Sequence, residues 1–235
     1  MKYLTLSLLL LLINCGGRQP QVPATVAVQA ASPPPLDTVE EPIPSVPPLG
    51  PIDYDTSLWT EITHLDPTIQ LDLRYASDNN FVKQKMYDCP RCFFRPAVAK
   101  ALVKAHKTLK KKGLGLKMYD CYRPRPIQWK LWNKVPDPRY VADPRKGSMH
   151  NRGMAADLTI VDGEGKELDM GTDFDFFGKE AYHAYTGHSK LVLNNRKLLL
   201  NTMATVGMKY TTTEWWHYSY TPKSFPIADW VWECK

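Results

Sequence analysis

The sequence lacks an apolar run long enough to cross a lipid bilayer as a helix, which takes about 20 consecutive apolar residues. Its longest uninterrupted apolar stretch covers residues 8–13 and follows a basic residue, Lys2. A short apolar stretch behind a basic start is typical of an export signal. The stretch ends at Cys15, with Leu12 three residues earlier as in a lipoprotein signal, although an ordinary signal peptide cut a few residues later is an alternative. We therefore predict an exported protein of the periplasm or cell envelope, anchored to the membrane by a lipid on Cys15.

Aromatic residues are nearly absent from residues 16–55, where Tyr54 is the only one, whereas ten of the twenty prolines lie there. Such a segment cannot bury enough apolar surface to offset the entropy of ordering it, and proline keeps it extended. All seven tryptophans follow this segment. The predicted organisation is an export signal at residues 1–15, a disordered Pro-rich tether at residues 16–55, and one folded domain at residues 56–235.

The sequence has no second Cys-x-x-Cys to accompany "CPRC" at residues 89–92, and no βαβ pattern surrounds this motif. These absences argue against a four-thiolate zinc site and against thioredoxin-like redox chemistry. With Cys15 set aside, the cysteines are Cys89, Cys92, Cys121 and Cys234. An even number in an oxidising compartment predicts at least one structural disulfide. Three complete pairings are possible, and the sequence does not choose among them.

Positive charge exceeds negative charge, giving a net charge of +6, and the basic residues are densest at residues 100–113, "KALVKAHKTLKKKG". We interpret these lysines as the solvated face of a helix, where those near its C-terminus also interact favourably with the helix dipole. An exported protein rarely meets nucleic acid, so no nucleic-acid partner is predicted. Contact with an anionic wall or membrane polymer remains open, and nothing in the sequence indicates an oligomeric state.

Internal repeats and a regular βαβ alternation are also missing, although helical and strand patterns are both present. This mixture predicts an α+β fold, with a mostly antiparallel central sheet flanked by helices in a single domain. The predicted helices run from Pro96 to a stop at Gly113, over residues 127–135, and over residues 189–207 with a stop at Gly207. The predicted strands cover residues 68–77, 114–122, 155–161 and 209–220, the last being one strand or a strand pair.

Two short stretches carry residue types that suit metal chemistry: "SMHNRGMAAD" at residues 148–157 and "EWWH" at residues 214–217. His150, Asp157 and His217 would provide three ligands for one zinc ion, with the fourth position left for water. Glu214 could then take a proton from that water. Residues three apart on a regular strand point to opposite faces, so Glu214 and His217 converge only if a turn or bulge lies between them.

Taken singly, each of these residues also fits a structural role. A histidine in an aromatic strand is more often a hydrogen-bonded core residue than a ligand. Asp157 could cap a strand or accept hydrogen bonds from backbone amides, and Glu214 could be a surface residue.

The joint pattern is far more specific than its parts. The first stretch fits S-x-H-x-x-G-x-A-x-D, and the second supplies E-x-x-H later in the chain. Together they resemble the zinc peptidases of the D-Ala-D-Ala dipeptidase and carboxypeptidase group. "DCYRP" at residues 120–124 resembles the D-G-Y-R-P segment of the VanX-type D-alanyl-D-alanine dipeptidases, with Cys121 where glycine is usual, and "MGTDFD" at residues 170–175 is similar to their M-G-x-x-F-D segment. The resemblance covers nearly all of residues 56–222, with every motif in order.

The resemblance implies a role for each matching residue. By motif, the zinc ligands are His150, Asp157 and His217. Glu214 is the general base, and Arg123 polarises the scissile carbonyl. Asp175 holds the free amino group of the substrate, with Ser148 beside it. The implied activity is zinc-dependent hydrolysis of the dipeptide D-Ala-D-Ala, in cell-wall peptide metabolism or glycopeptide resistance.

Two other classes of protein stay open at this point. A D,D-carboxypeptidase or an L,D-endopeptidase acting on peptidoglycan stem peptides would keep the metal site, but it would lack the Asp175 anchor. A non-catalytic wall-binding module would lack the base or the arginine, so the presence of Glu214 and Arg123 argues against it.

Overall fold

The computed structural model describes residues 49–234, so the predicted export signal, Cys15 and most of the predicted tether lie outside the described residues. Within residues 49–234, no helix is long and apolar enough to cross a membrane. The α-helices of this part are α1 (Ile62–Leu65), α2 (Pro96–Lys110), α3 (Arg125–Lys134) and α4 (Lys190–Ala204). Its strands are β1 (Thr60–Glu61), β2 (Gln70–Leu71), β3 (Phe93–Phe94), β4 (Gly115–Asp120), β5 (Ala155–Val161), β6 (Met208–Thr211) and β7 (Glu214–Tyr220).

The main sheet has five strands in the order β2-β4-β5-β7-β6. Only the pairing of β2 with β4 is parallel, and the other three pairings are antiparallel. The central strand β5 is buried at all seven positions, because both faces of the sheet are covered there. β1 and β3 form a separate two-stranded antiparallel sheet. The predicted α+β fold with a mostly antiparallel sheet is therefore confirmed.

The two long helices pack on this sheet as their apolar spacing predicts. Val98, Leu102, Ala105 and Leu109 are buried on one side of α2, which contacts β4. Proline at the first helical position suits the start of α2 because its missing N–H has no partner there in any helix. α4 begins behind Ser189, whose side chain accepts a hydrogen bond from the Val192 N–H, and packs against α2 and β6.

The predicted strand over residues 68–77 is wrong for most of its length. Only Gln70–Leu71 pairs with β4, and the chain turns into a short 3-10 helix at Arg74–Ala76. The reason lies in the next segment of the chain. The Tyr75 carbonyl accepts hydrogen bonds from both the Met86 and Tyr87 N–H groups, so this backbone is paired with a loop instead of with a strand.

The other predicted elements are confirmed with small shifts. α3 begins at Arg125, two residues before its predicted start, because Pro126 in its first turn already has a helical φ. β4 ends at Asp120, and residues 209–220 form a strand pair, β6 and β7.

Two disulfides join the four cysteines of the described domain. Cys92 pairs with Cys121, and Cys89 pairs with Cys234. Cys92 and Cys121 are both buried, and their bond links the segment before β3 to the residue that follows β4. This pairing selects one of the three arrangements that the sequence left open.

The first and last described segments meet on one side of the domain. The Arg91 guanidinium donates hydrogen bonds to the Asp53 carboxylate, to the Glu61 carboxylate and to the Glu233 carbonyl. Tyr54 packs edge-on against Phe93 with ring centroids 5.0 Å apart. Asp53 and Tyr54 thus contact the domain although they fall within the predicted tether range.

Candidate metal centre and active site

Three of the predicted ligands meet where β5 and β7 run side by side. Asp157 lies directly opposite His217 in the antiparallel ladder, and His217 Nδ1 is 2.9 Å from Asp157 Oδ1. His150 Nε2 is 3.2 Å from His217 Nδ1 and 3.2 Å from Asp157 Oδ2. Within residues 49–234, these three side chains form a group whose ligand atoms could hold a metal ion.

His150 reaches the site from a single 3-10 turn, His150–Arg152, which ends at Gly153. Gly153 has a φ of +67°, a left-handed conformation that glycine adopts without the steric cost of a side chain. A Cβ atom at this position would also lie 2.6 Å from the Trp59 ring. The glycine between His150 and Asp157 therefore allows the tight reversal that delivers the histidine to β5.

The second nitrogen of each imidazole has an oxygen partner. His150 Nδ1 is 2.7 Å from the Cys121 carbonyl oxygen, and His217 Nε2 is 3.1 Å from Ser219 Oγ. The carbonyl can only accept, so it fixes the proton of His150 on Nδ1 and leaves Nε2 free to bind a metal. Partners of this kind orient metal-binding histidines in proteins.

The dimensions of the group suit zinc. Nitrogen and oxygen ligands lie about 2.0–2.1 Å from zinc, so two ligands of a tetrahedral site are about 3.3 Å apart. The three observed separations, 2.9, 3.2 and 3.2 Å, are close to that value. Two imidazoles and one carboxylate are also a ligand set that catalytic zinc sites use, with one position left for water or substrate.

Charge at the site favours ionised Asp157. Burial by itself would raise its pKa, but the neighbouring His150 and His217 hold the pKa of Asp157 well below its ordinary value. The contact between Asp157 and His150 has the opposite effect on the pKa of the His150 imidazole. Burial is the largest single effect and lowers the pKa of His150, but the carboxylates of Asp157 and Asp120 together raise this pKa above its ordinary value. A cation is thus favoured between these groups.

Glu214 lies beside the metal group, as the sequence predicts. Its Oε2 is 3.8 Å from His217 Nδ1. The predicted irregularity in the strand is confirmed: Tyr210 pairs with Tyr218, but the next residue, Thr211, pairs with Glu214. The bulge on β7 between these pairs turns Glu214 and His217 towards the same site. Burial raises the pKa of Glu214 above its ordinary value.

Arg123 is held by two neighbours on the other side of the site. Its Nε and Nη2 donate to Asp120 Oδ2 at 2.9 and 2.6 Å, and its Nη1 donates to Gln128 Oε1 at 2.9 Å. Its Cζ is 5.0 Å from the centroid of the Tyr75 ring. A guanidinium has five N–H groups, so these contacts with described residues leave two of them for a substrate.

Asp175 is the second carboxylate near the centre. It accepts a 2.8 Å hydrogen bond from the Tyr75 hydroxyl and has a φ of +57°, which is uncommon outside glycine. Burial raises the pKa of Asp175 well above its ordinary value, and the charge of Asp157 adds to this effect. A half-buried carboxylate with a raised pKa gains from a cationic partner, so its position suits a group that binds an ammonium.

Ser148, the other predicted substrate contact, makes local hydrogen bonds. Its N–H donates to Asn151 Oδ1 at 2.8 Å, and its Oγ accepts from the Asn151 N–H at 3.3 Å. These bonds shape the turn that carries His150, and the hydroxyl proton remains available to a substrate.

Several residues that support the site were not predicted from the sequence: Asp120, Gln128, Tyr75, Ser219 and the Cys121 carbonyl. The sequence did contain a signal for Asp120, because an acidic residue three positions before the candidate arginine Arg123 is a candidate ion-pair partner. No sequence signal pointed to Gln128 or Tyr75. Gln128 reaches the site from α3, and Tyr75 reaches it from a segment whose alternation predicts a strand.

Comparisons with known proteins identify chains that are similar to this one. The D-alanyl-D-alanine dipeptidase of Escherichia coli (strain K12) is 36% identical over 175 residues, which cover 74% of this chain and 90% of that protein. The D-alanyl-D-alanine dipeptidase of Enterococcus faecium is 29% identical over 187 residues, covering 71% of this chain and 91% of that protein. Among solved structures, the LdcB LD-carboxypeptidase aligns with a TM-score of 0.40 at 18% identity, over 76% of this chain and 72% of that one.

The family model of the D-Ala-D-Ala dipeptidases, Peptidase_M15, matches residues 56–230. This range contains the metal group, Glu214, Arg123 and Asp175. The chain therefore belongs to the Peptidase_M15 family and is a zinc metallopeptidase.

Proposed function

We propose that this protein hydrolyses the free dipeptide D-Ala-D-Ala with the help of one zinc ion held by His150, Asp157 and His217. One observation carries the proposal: the two histidine nitrogens are 3.2 Å apart, each lies within 3.2 Å of an oxygen of the Asp157 carboxylate, and the Glu214 carboxylate is 3.8 Å from His217 Nδ1. The two relatives described above are named for this dipeptide.

Glu214 is proposed as the general base. Zinc in such a site lowers the pKa of a water molecule and polarises a carbonyl group. Glu214 takes a proton from the water that attacks the peptide carbon, and it then returns that proton to the leaving amine. Its raised pKa suits both steps, because an acid–base catalyst works best when its pKa lies near the working pH.

Arg123 is proposed to stabilise the negative charge that develops on the carbonyl oxygen. Asp120 and Gln128 hold its guanidinium in place before the substrate arrives. Fixed donors need no reorganisation during the reaction, and this is the main source of their effect on rate. The two N–H groups that are left over are sufficient for one oxygen atom.

Asp175 is proposed to bind the ammonium group of the dipeptide, with Ser148 beside it. The carboxylate is half-buried, and its hydrogen-bond partner among the described residues is the neutral Tyr75 hydroxyl. An acylated or longer substrate has no ammonium at this position and would leave the carboxylate unpaired. Sites built around a buried polar group reject ligands that lack its partner, so we propose that the protein selects free dipeptides over stem peptides.

We also propose that the protein is exported and anchored by a lipid on Cys15, with the Pro-rich segment as a spacer. The sequence pattern of residues 1–15 supports the anchor. The two disulfides support export, because disulfides persist in oxidising compartments such as the periplasm.

The proposed substrate is tested by comparing free D-Ala-D-Ala with N-acetyl-D-Ala-D-Ala under the same conditions, using zinc-loaded protein. We expect a much higher kcat/KM for the free dipeptide. A preference for the acetylated substrate would instead indicate a D,D-carboxypeptidase, and a lack of activity on both substrates by protein that carries zinc would refute the proposal.

A further inference from the structure

The disulfide between Cys92 and Cys121 lies beside the metal group. Cys121 is the residue whose carbonyl oxygen is 2.7 Å from His150 Nδ1. Its sulfur is bonded to Cys92, which precedes β3, and both cysteines are buried. The covalent bond therefore acts directly on the residue that orients a metal ligand.

The backbone after Cys121 is interlocked with the turn that carries His150. The Arg123 N–H donates to the His150 carbonyl at 3.1 Å, and Asn151 Nδ2 donates to the Arg123 carbonyl at 2.7 Å. With the His150–Cys121 contact, these bonds join the two segments at three points. A displacement of residue 121 would thus move His150 and Arg123 together.

The backbone of residues 121–124 lies beyond the ladder of the main sheet, although the Arg123 side chain bonds to Asp120 at the end of β4. The pairing of β4 with β5 ends at Asp120, and Pro124 has no N–H to donate. The backbone of this segment is also attached to the small sheet, because the Tyr122 N–H donates to the Phe93 carbonyl at 2.9 Å. The Tyr122 hydroxyl donates to the Ala228 and Trp230 carbonyls. The disulfide lies next to the hydrogen bond between Tyr122 and Phe93 and fixes the same junction covalently.

We propose that the Cys92–Cys121 disulfide is a positioning element of the metal centre. It holds the Cys121 carbonyl where it orients His150, and through the interlocked backbone it holds Arg123 beside the site. Cysteine at position 121 thus serves the zinc site as well as the stability of the fold. The inference about turnover rests on the proposed function, whereas the inference about metal binding does not.

The test compares two double variants of the full chain, each lacking one disulfide. Cys92→Ala/Cys121→Ala removes the bond beside the site, and Cys89→Ala/Cys234→Ala is the matched control, because its bond joins the same segment before β3 to the C-terminal end of the described chain instead of to Cys121. Zinc affinity is measured by competition with a chelator, and thermal unfolding is recorded for every protein. Cobalt-substituted samples give an absorption spectrum that reports the geometry of the ligands.

We expect both variants to unfold at lower temperature than the wild type, but only the first to bind zinc more weakly. Loss of a group that orients a metal ligand typically weakens metal binding by about 10–100-fold. The first variant should therefore lose at least about tenfold in zinc affinity and show an altered cobalt spectrum. The control should stay within about twofold of the wild type. An unchanged affinity in the first variant, or an equal loss in both, would overturn the proposal.

A second measurement covers the case in which the first variant does not fold. Folded wild-type protein is reduced in steps, each sample is alkylated, and mass spectrometry identifies the cysteines that have opened. Zinc release should follow the opening of Cys92 and Cys121, and release that follows Cys89 and Cys234 instead would contradict the proposal. If zinc binding changes as expected but the protein has no dipeptidase activity, the proposed function is refuted, whereas the positioning role of the disulfide stands.

Discussion

His217 Nδ1 and Asp157 Oδ1 lie 2.9 Å apart because their residues are direct partners on neighbouring antiparallel strands. Two of the three proposed metal ligands are thus positioned by the ladder of hydrogen bonds at the centre of the sheet. The third, His150, depends on a turn and on the Cys121 carbonyl. The site therefore combines a rigid part with a part that relies on loops.

Removal of either imidazole should remove the metal. We expect close to one zinc ion per chain in protein purified without chelator, and little in His150→Ala or His217→Ala, because a zinc site needs at least three protein ligands. Elemental analysis gives the stoichiometry. His64→Ala is the control, since His64 contacts Tyr54 instead of the metal group, and it should keep its zinc. Full zinc in both ligand variants would show that the metal binds elsewhere.

Glu214→Gln should keep zinc and lose turnover. Glutamine has nearly the same shape as glutamate, but it cannot accept the proton. The loss of general acid–base catalysis should lower kcat by about 10²–10⁴-fold. Steady-state kinetics with D-Ala-D-Ala gives this value, and Glu164→Gln, on an exposed turn, should behave like the wild type. If kcat fell by less than about tenfold, another group would have to be the base.

Asp175→Ala should weaken the hydrolysis of free D-Ala-D-Ala. Removal of one partner from a buried, hydrogen-bonded charge pair costs about 2–5 kcal/mol, which corresponds to a loss of about 30-fold or more in kcat/KM. Any slow cleavage of N-acetyl-D-Ala-D-Ala should hardly change, because that substrate has no charge for Asp175 to bind.

The ratio of the two rates separates binding of the ammonium from damage to the zinc site. Asp173→Ala, in the same segment but with an exposed side chain, is the matched control and should leave the ratio unchanged. An equal loss on both substrates in Asp175→Ala would mean that Asp175 has a structural role.

Acid should destabilise the domain partly through His106. This fully buried imidazole accepts a hydrogen bond from the Leu116 N–H at Nδ1 and has Nε2 2.9 Å from Thr68 Oγ1. Burial lowers the pKa of His106 below its ordinary value of 6.5. The unfolded chain therefore takes up a proton near pH 6.5 while the folded chain does not, so stability is lost as the pH falls below about 6.5.

His106→Gln removes this titration and retains a hydrogen-bond acceptor. The difference in Tm between the wild type and this variant should shrink as the pH is lowered from 7 to 5. Both proteins have the same metal site, so its own pH dependence cancels in the difference. A constant difference over this range would mean that His106 does not titrate in the unfolding reaction.

Cys15→Ser tests the proposed anchor. If Cys15 carries the lipid, the variant should leave the membrane fraction when cells are lysed and separated by centrifugation, while the wild type stays with it. Dipeptidase activity per molecule should not change, because residue 15 lies far outside the range matched by the family, residues 56–230. Unchanged membrane association would point to another anchor or to attraction by the basic surface.

The sequence was most informative where a periodic pattern and a motif coincided. The buried strand β5 and the helices α2 and α4 follow from their apolar patterns. The β-branched and aromatic residues of 209–220 predict strand structure there, but not whether it is one strand or the pair of β6 and β7. The metal group followed from the resemblance of its combined motifs to the zinc peptidases, and the three-residue interval between Glu214 and His217 required a turn or bulge if both residues serve the site. The position of the bulge depends on how β6 pairs with β7, and the spacing of Glu214 and His217 does not determine that pairing.

Other features depend on contacts between distant parts of the chain. Residues 68–77 alternate like a strand, yet only two of them find a partner in the sheet. The pairing of the cysteines could not be chosen, because a disulfide depends on the distance between residues and four cysteines allow three pairings. The supporting positions of Gln128 and Tyr75 became visible only in three dimensions.

The bond between Cys89 and Cys234 closes residues 89–234 into a covalent ring. The ring contains the three proposed metal ligands and the other proposed site residues Glu214, Arg123 and Asp175. A protease that cuts an exposed loop once between these two cysteines would therefore open the ring without releasing a fragment. The nicked molecule would keep its mass on a gel without reductant and would separate into two pieces only when the disulfides are reduced.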